Sequence, residues 1–140
     1  MKDVSDLIPK HKHDTSTIKQ LMGLTEKEIQ PILPALLEWM ADMNWPVAPH
    51  IVKVLAQFPN GITPLIKQAL SPEADDNILK YWIISELLPQ LPYENQYQLW
   101  HDFGRIADSP TDKEKMEEVD SLARKFEHRF CINNGLGLEQ

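Results

Sequence analysis

Residues 111–130, TDKEKMEEVDSLARKFEHRF, decide the fold class. Met116, Val119, Ala123, Phe126 and Phe130 recur there at steps of three and four, while Lys113, Glu117, Asp120, Arg124 and Lys125 fill positions between them. That spacing lays an apolar stripe along one side of an α-helix and fits no strand, whose side chains alternate with a period of two. Ser109-Pro110 and the capping-box pattern Thr111-x-x-Glu114 open the segment, since the Thr oxygen and the Glu carboxylate can satisfy backbone N–H groups that the first turn leaves free. Asn133-Asn134-Gly135 supplies a left-handed stop. One long helix over 112–130 is predicted.

The same period extends towards the N-terminus. A helix over 93–108 is anchored by Tyr97, Trp100, Phe103 and Ile106. Residues 76–88 are apolar on most sides through Ile78, Leu79, Trp82, Ile83, Ile84, Leu87 and Leu88, the pattern of a central, buried helix. Further helices are predicted over 62–70, 47–58 and 31–43, with Pro59-Asn60-Gly61 closing the 47–58 helix. Thr25-x-x-Glu28 is a second capping box, and a short helix from Asp14 to Met22 ends at Gly23. Residues 1–13 read as an extended lead-in and 133–140 as a loose tail. Many of the eleven prolines fall where a helix starts or stops, and no alternating β-branched run competes.

The six main helices pair as 31–43 with 47–58, 62–70 with 76–88, and 93–108 with 112–130. Pair starts lie about thirty residues apart, close to the period of helical repeats. The expected fold is all-α, a short solenoid of three helical hairpins, with an irregular helical bundle as the alternative.

The chain of 140 residues is long enough for one domain that buries roughly 70% of its unfolded surface. Fourteen Lys and Arg against twenty-one Asp and Glu leave a net charge of −7, with the basic residues scattered, which argues against nucleic acid. One cysteine, Cys131, allows no intramolecular disulfide. The N-terminus lacks the apolar core of a secretory signal, and no apolar run approaches the roughly 20 residues that span a bilayer. A reducing, cytoplasmic setting is expected.

Three segments carry a resemblance: LIPKHKHD at 7–14, LLEWMADMNWPVA at 36–48, and Lys80-Tyr81-Trp82 followed by LLPQLP at 87–92. Together they resemble a bacterial family of small proteins known only as a domain of unknown function, over residues 7 to about 125. The family's helix pairs are similar to HEAT-type repeats, which implies a solenoid. The resemblance implies no activity, substrate or catalytic residue.

Candidate sites are few. His11, His13 and Asp14 offer two imidazoles and a carboxylate, but a zinc site needs three or four ligands and no other His/Cys cluster completes it, so an exposed polar stretch is the favoured reading and no metal or cofactor is expected. Trp82 and Trp100 fall on apolar faces and read as core. Trp45, between Asn44 and Pro46, reads as a staple of the helix corner, with a ring presented to a ligand as the alternative. Lys80 and Glu86 are assigned to a solvated edge of the central helix. Cys131 reads as a packing residue, since His128 on the same helix makes no recognised dyad with it. No glycine-rich phosphate loop, G-x-S-x-G or Cys-x-x-Cys is present.

The expected function is therefore a non-enzymatic protein-binding module, of regulatory or immunity type, whose acidic surface meets a partner protein with a basic face. Carboxylates at Glu94, Asp102, Asp108, Glu114, Glu117, Glu118 and Asp120 are assigned to that surface. Trp45, Lys80, Tyr81, Glu117, Glu118 and Asp120 are the candidate partner-binding residues. The alternative is a small enzyme or ligand pocket near Trp45, Lys80 and Tyr81.

Overall fold

A computed structural model describes residues 3–136, and every regular element among them is helical. After a 3-10 turn at Val4–Leu7 come α1 (Ile18–Met22), α2 (Glu26–Ile29), α3 (Leu33–Glu38), α4 (Ala48–Ala56) and α5 (Pro59–Ala69). Then follow α6 (Asn77–Trp82), α7 (Tyr93–Gln98), α8 (Trp100–Asp108), α9 (Asp112–Met116) and α10 (Val119–Asn133). α6 continues into a π-helical turn at Ile83–Leu87 and a 3-10 turn at Leu88–Gln90, so that 77–90 winds on as one irregular helix.

The most extensive helix pair is α8 with α10. Phe103 of α8 is fully buried there, edge-on to Phe126 at 4.9 Å and to Phe130 at 5.6 Å between ring centroids. α3 packs on α4, as the first predicted hairpin requires. The middle pair does not close on itself: α5 packs chiefly on α3, α4 and α7, while the 77–90 helix lies against α4 and α10. The packing is that of an irregular helical bundle. Gly61 shows why α5 turns towards α3, since a Cβ there would sit 3.0 Å from Leu33 Cδ1. Pro59-Asn60-Gly61 thus opens α5 rather than closing α4, with Pro59 in the first turn, where its missing N–H has no partner to lose.

The predicted single helix over 112–130 is broken. Glu117 and Glu118 separate α9 from α10, and Glu118 takes the left-handed conformation with φ 61°. Glu114 and Val119 are both fully buried, yet they lie five positions apart, about 140° around an unbroken helix at roughly 100° per residue. Bending at Glu118 lets both point inward. The consequence falls on Met116, which leaves the apolar stripe and is 77% exposed.

Four further expectations change. Among the described residues of the predicted 1–13 lead-in the chain is not simply extended: Val4–Leu7 is a 3-10 turn, Leu7 is buried, its carbonyl accepts from Thr17 Oγ1 at 2.6 Å, and Lys12 O accepts from Val47 N at 3.0 Å. Trp82 is half-buried rather than central. Tyr97, predicted as an anchor, is 52% exposed, while Phe103 holds the core beneath it. Residues 133–136 are not loose: Gly135 at φ 67° closes α10 with Leu136 N bonded to Cys131 O at 2.8 Å, and Leu136 packs on the core. The rest of the predicted tail, 137–140, lies outside the described residues.

Core aromatics rank by burial, so Phe103→Ala should cost about 3–5 kcal/mol and Trp82→Ala clearly less. Urea unfolding of the two variants measures this, and a costlier Trp82→Ala would place the core on the wrong helix.

Candidate binding groove

The helices are tied by one buried ionic cluster. Glu114, in the first turn of α9, accepts from Arg105 Nη1 at 2.7 Å on Oε1, and from Arg105 Nη2 at 2.8 Å and Lys80 Nζ at 2.6 Å on Oε2. Its Oε1 also accepts from Thr111 N at 2.8 Å, closing the capping box that the sequence announces. Lys80 donates further to Ser71 O at 2.9 Å, which also accepts from Ala74 N at 3.1 Å, and Arg105 donates to Leu70 O at 2.8 Å, just past the end of α5. Lys80 and Glu114 have no exposed side-chain surface. Burial alone pushes the Glu114 carboxyl up, but bonds from Arg105, Lys80 and Thr111 outweigh it and hold the group down at about 2. Lys80 is therefore not on a solvated edge and Glu114 is not on the acidic surface. Each is inside because the other is.

With Glu114 turned inward, α9 presents Lys113, Met116 and Glu117 to a hollow whose other wall is Asp75–Ile78 at the start of α6. A second hollow continues from it, walled by Ile78, Tyr81, Trp82, Glu117 and Glu118, and a third runs from Trp82 and Glu86 to Val52 and Lys53 of α4. Shared walls at Ile78, Glu117 and Trp82 make these one groove along the 77–90 helix, about 20 Å long at 1.5 Å per residue. Its floor is the outward stripe Ile78, Tyr81, Trp82, Ser85 and Glu86, spaced by three and four. Ile78 is 49% exposed, and Tyr81 packs edge-on against Trp82 at 5.2 Å. The hollows measure about 290, 300 and 460 Å³, small for a drug-sized ligand and suited to single side chains of a docked segment.

Carboxylates dominate the rim. Asp75, Asp76, Glu86, Glu117 and Glu118 line the groove against Lys53 and Lys113, and among the described residues none of the five carboxylates forms an ion pair. Glu118 holds its left-handed backbone at this rim, an arrangement that costs of order 1–3 kcal/mol in a residue with a Cβ.

The predicted site residues scatter. Tyr81, Glu117 and Glu118 meet in the groove. Trp45 packs edge-on against Trp39 at 5.5 Å, the staple geometry, while its neighbours Met43 and Asn44 wall the third hollow. Asp120 pairs with Arg124 at 3.1 Å and Asp102 with Lys67 at 2.8 Å, so neither carboxylate is free for a partner. Trp45, Lys80 and Tyr81 do not share one hollow. Asp14 is spent on a turn, accepting from Ser16 Oγ and from the Ser16 and Lys10 amides, which lowers its pKa to about 2, and His11 Nδ1 accepts from His13 N at 3.2 Å. Among the described residues no group of three or more His, Cys, Asp or Glu is placed to hold a metal. Cys131 is buried, and burial, followed by Glu127, pushes its thiol up, the state of a packing residue rather than a nucleophile. Ile78, Trp82, Asp75 and Asp76 line the groove without being among the predicted binding residues; for Ile78 and Trp82 the signal in the sequence is an apolar residue on every side of the 76–88 helix, one side too many for a helix with one wet edge.

A second hollow system, about 530 Å³ between α8 and α10, is walled by Tyr97, Trp100, His101 and Glu127. There Trp100 Nε1 donates to Glu127 Oε2 at 2.7 Å, which matches the polar groups internally.

A family model described as a domain of unknown function, DUF5071, matches residues 7–126. The chain belongs to this family. Comparison with curated proteins finds no match. The matched span of the DUF5071 domain takes in both partners of the buried cluster and both walls of the groove. Among its described residues no helix is long and apolar enough to cross a membrane.

Because the folded-state pKa of Glu114 lies below its ordinary 4.5, its stabilisation is present above pH 4.5 and is lost as pH falls towards 2, on the order of 3 kcal/mol in all. Glu114→Gln should cost about 3–5 kcal/mol at pH 7, since it leaves Lys80 buried without a counter-ion. The gap between wild type and variant should shrink by about 2 kcal/mol between pH 7 and pH 3. Urea unfolding at the two pH values checks both, and a gap independent of pH would place the charge elsewhere.

Proposed function

We propose that this domain is a protein-binding module whose groove along the 77–90 helix receives an amphipathic, basic segment of a partner. One observation carries the reading: the outward stripe of the most apolar helix is floored by Ile78, Tyr81 and Trp82 and ringed by carboxylates that form no ion pair among the described residues. Aromatic anchors inside a polar rim are the composition of interface hot spots, where a few large side chains supply most of the affinity. The unpaired carboxylates steer a basic segment and reject an acidic one. A segment of helical form suits a straight groove of this length, meeting it with apolar residues at steps of three and four. Regulation or neutralisation of the partner is the role such a module performs, and the buried Lys80, the one amine of the alternative enzymatic reading, is engaged by Glu114 and Ser71.

The test uses the purified chain and a partner captured from the native cell. Tyr81→Ala should weaken binding by roughly 30-fold, the effect of losing one aromatic anchor. Reversing Glu117 and Glu118 to Lys should lower the association rate and remove its fall with rising salt, with circular dichroism unchanged. A partner whose binding ignores both changes docks elsewhere and ends this reading.

A further inference from the structure

We propose that the first hollow of the groove, between Asp75–Ile78 and Lys113–Glu117, is the seat of one arginine side chain of the docked segment; the inference rests on the groove reading and specifies its anchor. Asn77 walls this hollow and is only 8% exposed. Its Nδ2 donates to Asp75 O at 3.2 Å, but its Oδ1 is buried with no hydrogen-bond partner among the described residues. A buried amide oxygen without a donor is costly, and such oxygens are rare enough in folded proteins to require a reason. Asn77 lines the hollow, so a modest rotation of its side chain brings that oxygen to a donor seated there.

The surroundings select the donor. Asp75, Asp76 and Glu117 line the same hollow, and Asp76 spends only Oδ1, on the N–H of Leu79 at 2.9 Å. These carboxylates call for a cation, and Lys113 is the one positive group on the wall opposing it. Ile78 and Met116, 49% and 77% exposed, offer the apolar surface that an aliphatic stem covers while its charged head goes deeper. Neutral and anionic acceptors face the hollow from both walls, so several donors in a fixed fork fit better than one point charge. Guanidinium has five such donors and sheds water more readily than ammonium. A space of about 290 Å³ admits one such side chain and little more.

The probe is Nα-acetyl-arginine amide, titrated into the isotope-labelled chain and followed by amide chemical shifts, beside the lysine and norleucine analogues. Saturable shifts should gather at 75–78 and 113–117 and on the Asn77 side-chain amide, with the arginine derivative tighter than lysine and norleucine inert. Asn77→Ala should weaken the arginine derivative about tenfold, the effect of one hydrogen bond to a charged donor. Glu117→Gln, on the exposed opposite wall where folding is not at stake, should weaken it several-fold, and Glu94→Gln on α7 should not. No saturable shift, equal affinity of both pocket variants with wild type, or a preference for lysine would overturn the assignment. The groove reading fails separately: a partner lost on Tyr81→Ala while the arginine derivative gives no shift sinks only the arginine seat. Arginine-specific shifts with a partner indifferent to Tyr81 sink the groove.

Discussion

Glu114 is where the molecule is held together. α9 has five residues, far too few to persist as a helix in water, where nucleation costs more than a single turn returns. It stays in place because its carboxylate, buried and charged, is bonded by Lys80 from α6 and by Arg105 from α8. Both cations also take the carbonyls of Leu70 and Ser71 at the end of α5. Three helices therefore meet on one side chain, and the end of α5 joins them through the two cations. Such a cluster is a poor source of net stability, since desolvating three charges consumes most of what their attraction returns. Its effect is on geometry. Removing one partner strands the others.

That constraint reaches the surface. Glu114 facing inward decides that Met116 and Glu117 face outward, and it forces the turn at Glu118 that lets Val119, Ala123 and Phe130 return to the core. The groove wall is thus the outer side of the ionic cluster, and its floor is the other face of the helix that supplies Lys80. A rigid wall matters for recognition. Side chains already fixed by packing lose little freedom when a partner docks, so more of the contact energy is left as affinity. The left-handed Glu118 is a modest strain held at that wall by the same cluster.

The groove also explains the composition of the 77–90 helix. Ile83, Ile84, Leu87 and Leu88 are buried against α4 and α10. A helix serving the core alone would carry polar residues on its other face. Instead Ile78, Tyr81 and Trp82 stand there, beside five carboxylates that form no ion pair among the described residues. The same helix passes through a π-helical turn at Ile83–Leu87, a feature often found where a helix does more than pack. Membership of DUF5071 attaches no activity to these residues, and the functional reading rests on this geometry.

Local rules reached some of this from the residues in order. Both capping boxes, at Thr25 and Thr111, formed as their spacing demands, because the bonds involved join residues three apart and need nothing from the rest of the chain. The left-handed stop at Gly135 and the all-helical class followed from equally short-range patterns. Tyr81, Glu117 and Glu118, three of the candidate residues read from the sequence, come together along one hollow, although their spacing does not announce it. Longer-range facts were beyond such rules. Glu114 looked like a solvated charge and Lys80 like a wet edge, since a carboxylate and an amine 34 positions apart announce nothing to each other until the chain folds. Met116 sat on the apolar stripe by its period, and only the competition between Glu114 and Val119 for the interior turned it out. Periodicity ranks residues around an ideal axis; which of two faces is buried, and where the axis must bend, depends on the buried charge that has to be satisfied from two other helices.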